Sequence, residues 1–160
     1  MEIYILRHGE AEPREGKKAD ALRALTSGGK SDVRKVLGAA RSAKLAPERI
    51  FTSPLLRAGQ SATVAEKLFG TDALVETKSL MPNANPQAIW KEIYALKNVS
   101  QVLLVGHEPH LGHLIRFLLE APVAVDLKKG GLVRIDSAAQ PGPPRGVLKW
   151  LITPRLVRGR

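Results

Sequence analysis

Four short apolar runs, Ile3 to Leu6, Arg49 to Thr52, Ala73 to Glu76 and Gln101 to Val105, alternate with segments whose apolar residues recur at helical spacing. Such a chain folds most simply as strands buried on both faces, with helices laid over each side. The helical segments follow Thr26 (Val33, Val36, Leu37, Ala40, closed by Pro47) and Arg57 (Ala-rich, to Leu68 or Phe69 before Gly70). Two more carry Ile89, Ile93 and Leu96, and Leu111, Leu114, Ile115, Leu118 and Leu119. Leu132 to Ile135 and Val147 to Ile152 read as two further strands joined by a Pro- and Gly-rich turn. The expected fold class is α/β, a three-layer sandwich with a mostly parallel central sheet flanked by helices. With aromatics at 4%, its core must be built from Leu, Val, Ile and Ala. One domain is expected over residues 1–153, followed by a basic C-terminal tail, 154–160, read as a solvated and disordered end.

The chain has no cysteine, which removes disulfide scaffolds, thiolate metal sites and Cys nucleophiles together. Arg116, Glu120 and Asp126 interrupt the most apolar stretch, so no membrane span is expected. The opening residues run straight into a strand pattern without a signal-peptide layout, so the expected location is cytoplasmic. Lys and Arg number 25 against 15 Asp and Glu, a net charge of +10, and from Leu111 onward nine basic side chains face three acidic ones. Such a surface attracts anions: phosphorylated ligands, acidic proteins or nucleic acid.

In an open α/β sheet, ligands sit beyond the carboxyl ends of the strands. Three of the expected strands end there on Arg7-His8-Gly9, on Ser53 to Arg57 and on Gly106-His107-Glu108. Two imidazoles, two guanidiniums and a carboxylate can grip and transfer a phosphoryl group. A neutral imidazole attacks phosphorus at neutral pH. The planar Arg fork holds phosphate oxygens, a second Arg spreads the charge that develops on them, and glycine lets backbone amides approach the anion.

The segment Leu6-Arg7-His8-Gly9-Glu10-Ala11 resembles the Arg-His-Gly motif of the histidine phosphatase superfamily. Further likenesses follow in order: Arg23-Ala24-Leu25-Thr26 with Gly29, Thr52-Ser53-Pro54-Leu55-Leu56-Arg57-Ala58, and Val105-Gly106-His107 at the second catalytic histidine. The compact length and the ending from Leu148-Lys149-Trp150 to Thr153-Pro154 are similar to the short SixA-type phosphohistidine phosphatases. The resemblance implies a phosphoglycerate mutase-like fold and a metal-independent phosphatase without cofactor. It makes His8 the nucleophile that becomes transiently phosphorylated, and Arg7, Gly9, Arg57 and His107 the phosphate pocket, with Arg23 a further anion contact. The proton donor is open among Glu108, Glu10, Glu12 or none, because a leaving imidazole can carry its proton on the far ring nitrogen in advance. The implied partner is a phosphorylated protein, such as an acidic histidine-phosphotransfer domain, and the product is inorganic phosphate.

Other readings stand beside these. Glu108 can cap the helix beginning near Pro109, Arg23 can simply hold the long first loop, and His110 and His113 fit solvated or capping roles. A phosphatase for small phosphate esters, or a non-catalytic phosphate-binding module, would use the same pocket. A mutase needs a closing lid for which the chain offers little length. Nucleic-acid binding lacks interleaved aromatics and any groove-reading motif.

Overall fold

The computed structural model describes residues 1–15, 19–138 and 142–158. Gly16 of the first loop and Arg160 of the tail therefore lie outside the described residues. Six strands form one sheet: β1 (Glu2–Arg7), β2 (Arg49–Thr52), β3 (Leu74–Glu76), β4 (Gln101–Gly106), β5 (Leu132–Asp136) and β6 (Val147–Ile152), in the order β3-β2-β4-β1-β5-β6. The pairs β3–β2, β2–β4 and β4–β1 are parallel, while β5 runs antiparallel to both β1 and β6. The helices are α1 (Ser27–Ser42), α2 (Leu56–Phe69), α3 (Pro86–Tyr94), α4 (His110–Leu119) and α5 (Pro154–Val157). The expected three layers are present.

Strand alternation divides the core in two. Ile3, Ile5, Val102 and Leu104 face α3 and α4, where Ile89, Ile93, Leu111, Leu114 and Leu118 cover them. Tyr4, Leu6, Leu103 and Val105 face α1 and α2, meeting Val33, Leu37, Ala58 and Ala62. The central strands β1 and β4 are thus apolar at consecutive positions, as strands covered on both faces must be. Among the described residues no helix is long and apolar enough to cross a membrane.

Two local features differ from simple propensity. Gly28 and Gly29 weaken the start of α1, yet Thr26 caps it, its Oγ1 accepting from the Gly29 amide at 3.0 Å. A Cβ on Gly29 would lie 2.2 Å from the Glu10 carbonyl oxygen, so the glycine lets the loop after β1 lie against the first helical turn. The segment from Pro154, expected to be a free tail, forms α5 over its first four residues. Proline suits the first helical position, Pro154 is buried, and Arg158 just beyond is ion-paired with Asp32 of α1.

Candidate active site

Strand register brings the two histidines together. Arg7 of β1 stands opposite Gly106 of β4, so the next residue in each chain direction, His8 and His107, emerges side by side. Their ring centroids are 5.0 Å apart and tilted by 54°. On the other side of β4, Thr52 pairs with Val105. Ser53 then turns the chain, its Oγ accepting from the Leu55 amide at 3.3 Å, and Arg57 enters from the first turn of α2. The site therefore sits at the carboxyl ends of three adjacent parallel strands.

His8 is 6% exposed and its ring is oriented at both nitrogens. Nδ1 lies 2.7 Å from the carbonyl oxygen of Gly9, which can only accept, so Nδ1 carries the proton. The lone pair is then on Nε2, which accepts from Arg57 Nε at 3.3 Å. Burial, with the charges of Arg57, Arg7 and Lys129, pushes the His8 pKa down to about 4, against the opposing Gly9 hydrogen bond. At neutral pH the ring is an uncharged imidazole with its lone pair turned into the site.

His107 is equally enclosed at 2% exposure. Burial first, then the His8 and Arg57 charges, takes its pKa down to about 3. Neither of its nitrogens, nor Nε of Arg7, has a hydrogen-bond partner among the described residues. Arg7 is held by its other end, Nη1 donating to the Leu127 carbonyl at 2.8 Å. Leaving a buried donor unmet costs about 1–3 kcal/mol, and phosphoryl oxygens seated between these groups would supply the missing acceptors. Among the described residues no group of three or more His, Asp or Glu side chains is placed to hold a metal ion.

The remaining candidates separate clearly. Arg23 donates from Nε to Asp20 at 2.8 Å and from Nη1 to the Glu12 carbonyl at 2.7 Å, so it braces the first loop. The Gly9 amide donates to Ser61 Oγ at 3.2 Å. Gly9 is needed because a Cβ there would meet the Gly29 carbonyl oxygen at 2.6 Å, a packing reason rather than a free amide for an anion. Glu108 Oε2 accepts from the Gly112 amide at 3.2 Å, which fits the capping reading, while its buried Oε1 has no hydrogen-bond partner among the described residues. Glu10 pairs with Lys129 at 2.7 Å, and Glu12 Oε2 accepts from the Ala24 amide at 3.1 Å. His113 is exposed, but His110 is not a solvated residue. It is fully buried with both ring nitrogens unpartnered among the described residues, because positions 110, 114 and 118 share the covered face of α4.

Three residues that sequence reading passed over also shape the site. Asp20, on a 3₁₀ turn over Asp20–Leu22, binds Arg57. Ser61 joins the β1 loop to α2 by donating to the Arg57 carbonyl at 2.8 Å while receiving the Gly9 amide. Lys129 adds positive charge near His8. Asp20 lies in a polar stretch without periodicity, and its only sequence signal is an acid three residues ahead of Arg23.

The buried histidines tie stability to pH. Burial also lowers His110 to about 4, with His113 adding to it, so three imidazoles titrate lower in the folded chain than the ~6.5 of an unfolded one. Between those values the unfolded state binds more protons, and stability falls as pH drops below ~6.5 by up to ~1.4 kcal/mol per pH unit for each histidine. Urea unfolding at about pH 7 and about pH 5 should therefore give a lower midpoint in acid. Equal midpoints would mean that these rings are not held neutral by the fold.

A family model of the histidine phosphatase superfamily (branch 1) matches residues 3–81. An uncharacterized protein of Picosynechococcus sp. is 33% identical over 144 residues, 87% of each chain. The phosphohistidine phosphatase SixA of Escherichia coli is 26% identical over 159 residues, 96% of this chain and 94% of that one. The solved structure of the protein histidine phosphatase SixA complexed with tungstate superposes with a TM-score of 0.87 at 22% identity, over 99% of this chain and 100% of that one. With the Arg-His-Gly strand end, the paired histidines and the arginine of α2 in place on a phosphoglycerate mutase-like sheet, the chain belongs to the histidine phosphatase superfamily.

Proposed function

We propose that this phosphatase removes the phosphoryl group from phosphohistidine on a partner protein, through a covalent intermediate on His8. The observation that carries the mechanism is the hydrogen-bonded orientation of His8, which leaves the Nε2 lone pair beside Arg57. Nε2 attacks phosphorus, the P–N bond to the substrate ring breaks, and its electron pair stays with the departing imidazole. Arg7, Arg57 and His107 surround the position where the equatorial oxygens gather charge, which is where fixed donors lower the barrier. In phospho-His8 the proton stays on Nδ1, donated to the Gly9 carbonyl oxygen, so the ring carries positive charge and is a good leaving group. Water then attacks phosphorus, the P–Nε2 bond breaks with its electron pair returning to neutral His8, and both water protons leave on inorganic phosphate. All positive charge in this scheme comes from the chain, so turnover is expected to resist EDTA.

Two features support a protein substrate. The relative named above as a phosphohistidine phosphatase matches nearly the whole chain. A groove of about 610 Å³ reaches Arg7 and is lined by Lys128, Lys129, Arg155 and Arg158 together with Glu10, Asp32 and Asp126. Three of these cations are ion-paired with those carboxylates, and the excess of positive charge left by Arg7 and Arg155 suits an acidic partner. The test compares kcat/KM for a phosphohistidine-bearing protein and for p-nitrophenyl phosphate with EDTA present. A preference of at least about tenfold for the protein is expected, equivalent to ~1.4 kcal/mol in the transition state. Higher efficiency on free small phosphate esters would overturn the substrate assignment and leave the phosphatase.

The capping geometry of Glu108 gives a second expectation. Glu108→Gln keeps an oxygen for the Gly112 amide, so phosphohistidine turnover should fall by less than about threefold, within the range of a weakened cap. A loss of two orders of magnitude would restore Glu108 as the proton donor.

A further inference from the structure

Arg57 is gripped on two sides. Its Nε faces the nucleophilic nitrogen of His8 at 3.3 Å, while Nη1 and Nη2 donate to the main-chain oxygen of Asp20 at 2.9 Å and to its Oδ2 at 3.2 Å. Asp20 therefore stands one guanidinium's width from the nucleophile. Its Oδ1 already accepts from Arg14 Nε at 2.9 Å and from Arg23 Nε at 2.8 Å. A carboxylate has about four acceptor positions, so one remains, on the Oδ2 that binds Arg57.

The side chain is 37% exposed, within reach of a group entering from solvent. Its charge acts inward as well, opposing the fall in the His107 pKa. Burial works against the Asp20 anion, but hydrogen bonds from Arg14 and Arg23 and the charge of Arg57 outweigh it and hold the carboxyl at about 2. At working pH Asp20 has no proton to give, so any direct role toward a leaving group is as an acceptor.

Resting on the phosphohistidine reading above, we infer that Asp20 is a specificity residue: its free Oδ2 position accepts the N–H of the substrate imidazole on the nitrogen that does not bear phosphorus. Holding that proton in place keeps the bound ring as a phosphoimidazolium. When the P–N bond breaks, the electron pair moves onto the nitrogen that carried phosphorus, and neutral imidazole departs with the other N–H intact. An aryl phosphate has no such proton. An ester carrying further carboxylate or phosphate groups meets the Asp20 charge instead. Three arginines around one carboxylate thus provide a fixed acceptor whose contribution depends on the leaving group.

Asp20→Asn preserves size and an oxygen for Arg57 while removing the charge, and Asp20→Glu retains the charge. With a phosphohistidine-bearing protein and p-nitrophenyl phosphate as paired substrates, Asp20→Asn should lower the ratio of their kcat/KM values by about tenfold, the difference between a charged and a neutral acceptor. The alkaline limb of the phosphohistidine profile should also move to lower pH, and Asp20→Glu should recover part of the ratio. Equal losses on both substrates with unmoved pH profiles would overturn the inference and leave Asp20 as a brace for Arg57.

Wild-type protein supplies an independent arm if Asp20→Asn does not fold. With phosphoimidazole as probe, its alkaline limb should lie above the titration of the free compound, and a limb coincident with that titration would overturn the role. Wild type that hydrolyses p-nitrophenyl phosphate but no phosphohistidine would overturn the substrate reading itself, and the inference with it.

Discussion

His8→Ala is expected to lower hydrolysis of both phosphohistidine and p-nitrophenyl phosphate by at least about 10³-fold, the scale seen when an enzyme's nucleophile is removed. The loss should fall on kcat, because Arg7, Arg57 and His107 remain to bind the phosphoryl group. Folding should survive, since the truncation removes a ring that the native state must keep uncharged and trades that cost against a small cavity. Inorganic phosphate should still raise the melting temperature of the variant by mass action. Residual activity within tenfold of wild type would mean that water attacks the substrate directly. The histidine would then be a binding group only.

Arg57→Ala should cost about 10²–10³-fold in kcat, the range for removing one donor from a site that stabilises developing negative charge. Arg57→Lys should recover little of it. The guanidinium spans His8 Nε2 through Nε and Asp20 through both Nη atoms, and the single nitrogen of an ammonium cannot reach acceptors set this far apart in a rigid fork. Arg57 is also 4% exposed, so the shorter reach of a lysine cannot be compensated from solvent. Kinetics of all three proteins on p-nitrophenyl phosphate would check this, and near wild-type kcat for Arg57→Lys would show that charge alone suffices.

The parts of this site legible in sequence are those fixed by strand ends. Arg7, His8 and His107 follow uninterrupted apolar runs, and Ser53-Pro54 marks the turn that admits Arg57, so their convergence follows once parallel pairing is assumed. The pairing itself, with β4 between β1 and β2 and β5 reversed, is a long-range property that no local run of residues encodes. Side-chain partnership was less visible still. Asp20 and Arg23 come from an irregular loop whose course is set by the ion pairs it makes, and the Gly9 amide is committed to Ser61, fifty-two positions away.

His110 departs from its expected solvated or capping role for a different reason. Its polarity suggests exposure, but its helical position is shared with Leu114 and Leu118, and the covered face decides. The charges of the final segment suggest a solvated end, whereas Thr153-Pro154 starts a helix and Asp32 receives Arg158. In both cases packing prevailed over composition.

The central claim is that phosphorus passes through His8. Wild-type protein mixed with a radiolabelled phosphohistidine-bearing protein in EDTA, quenched during turnover and digested at alkaline pH, should yield label on the peptide containing His8. That label should be labile to acid, stable to base and missing from His8→Ala. Continued release of inorganic phosphate with no label on the enzyme, or label on a different residue, would contradict it.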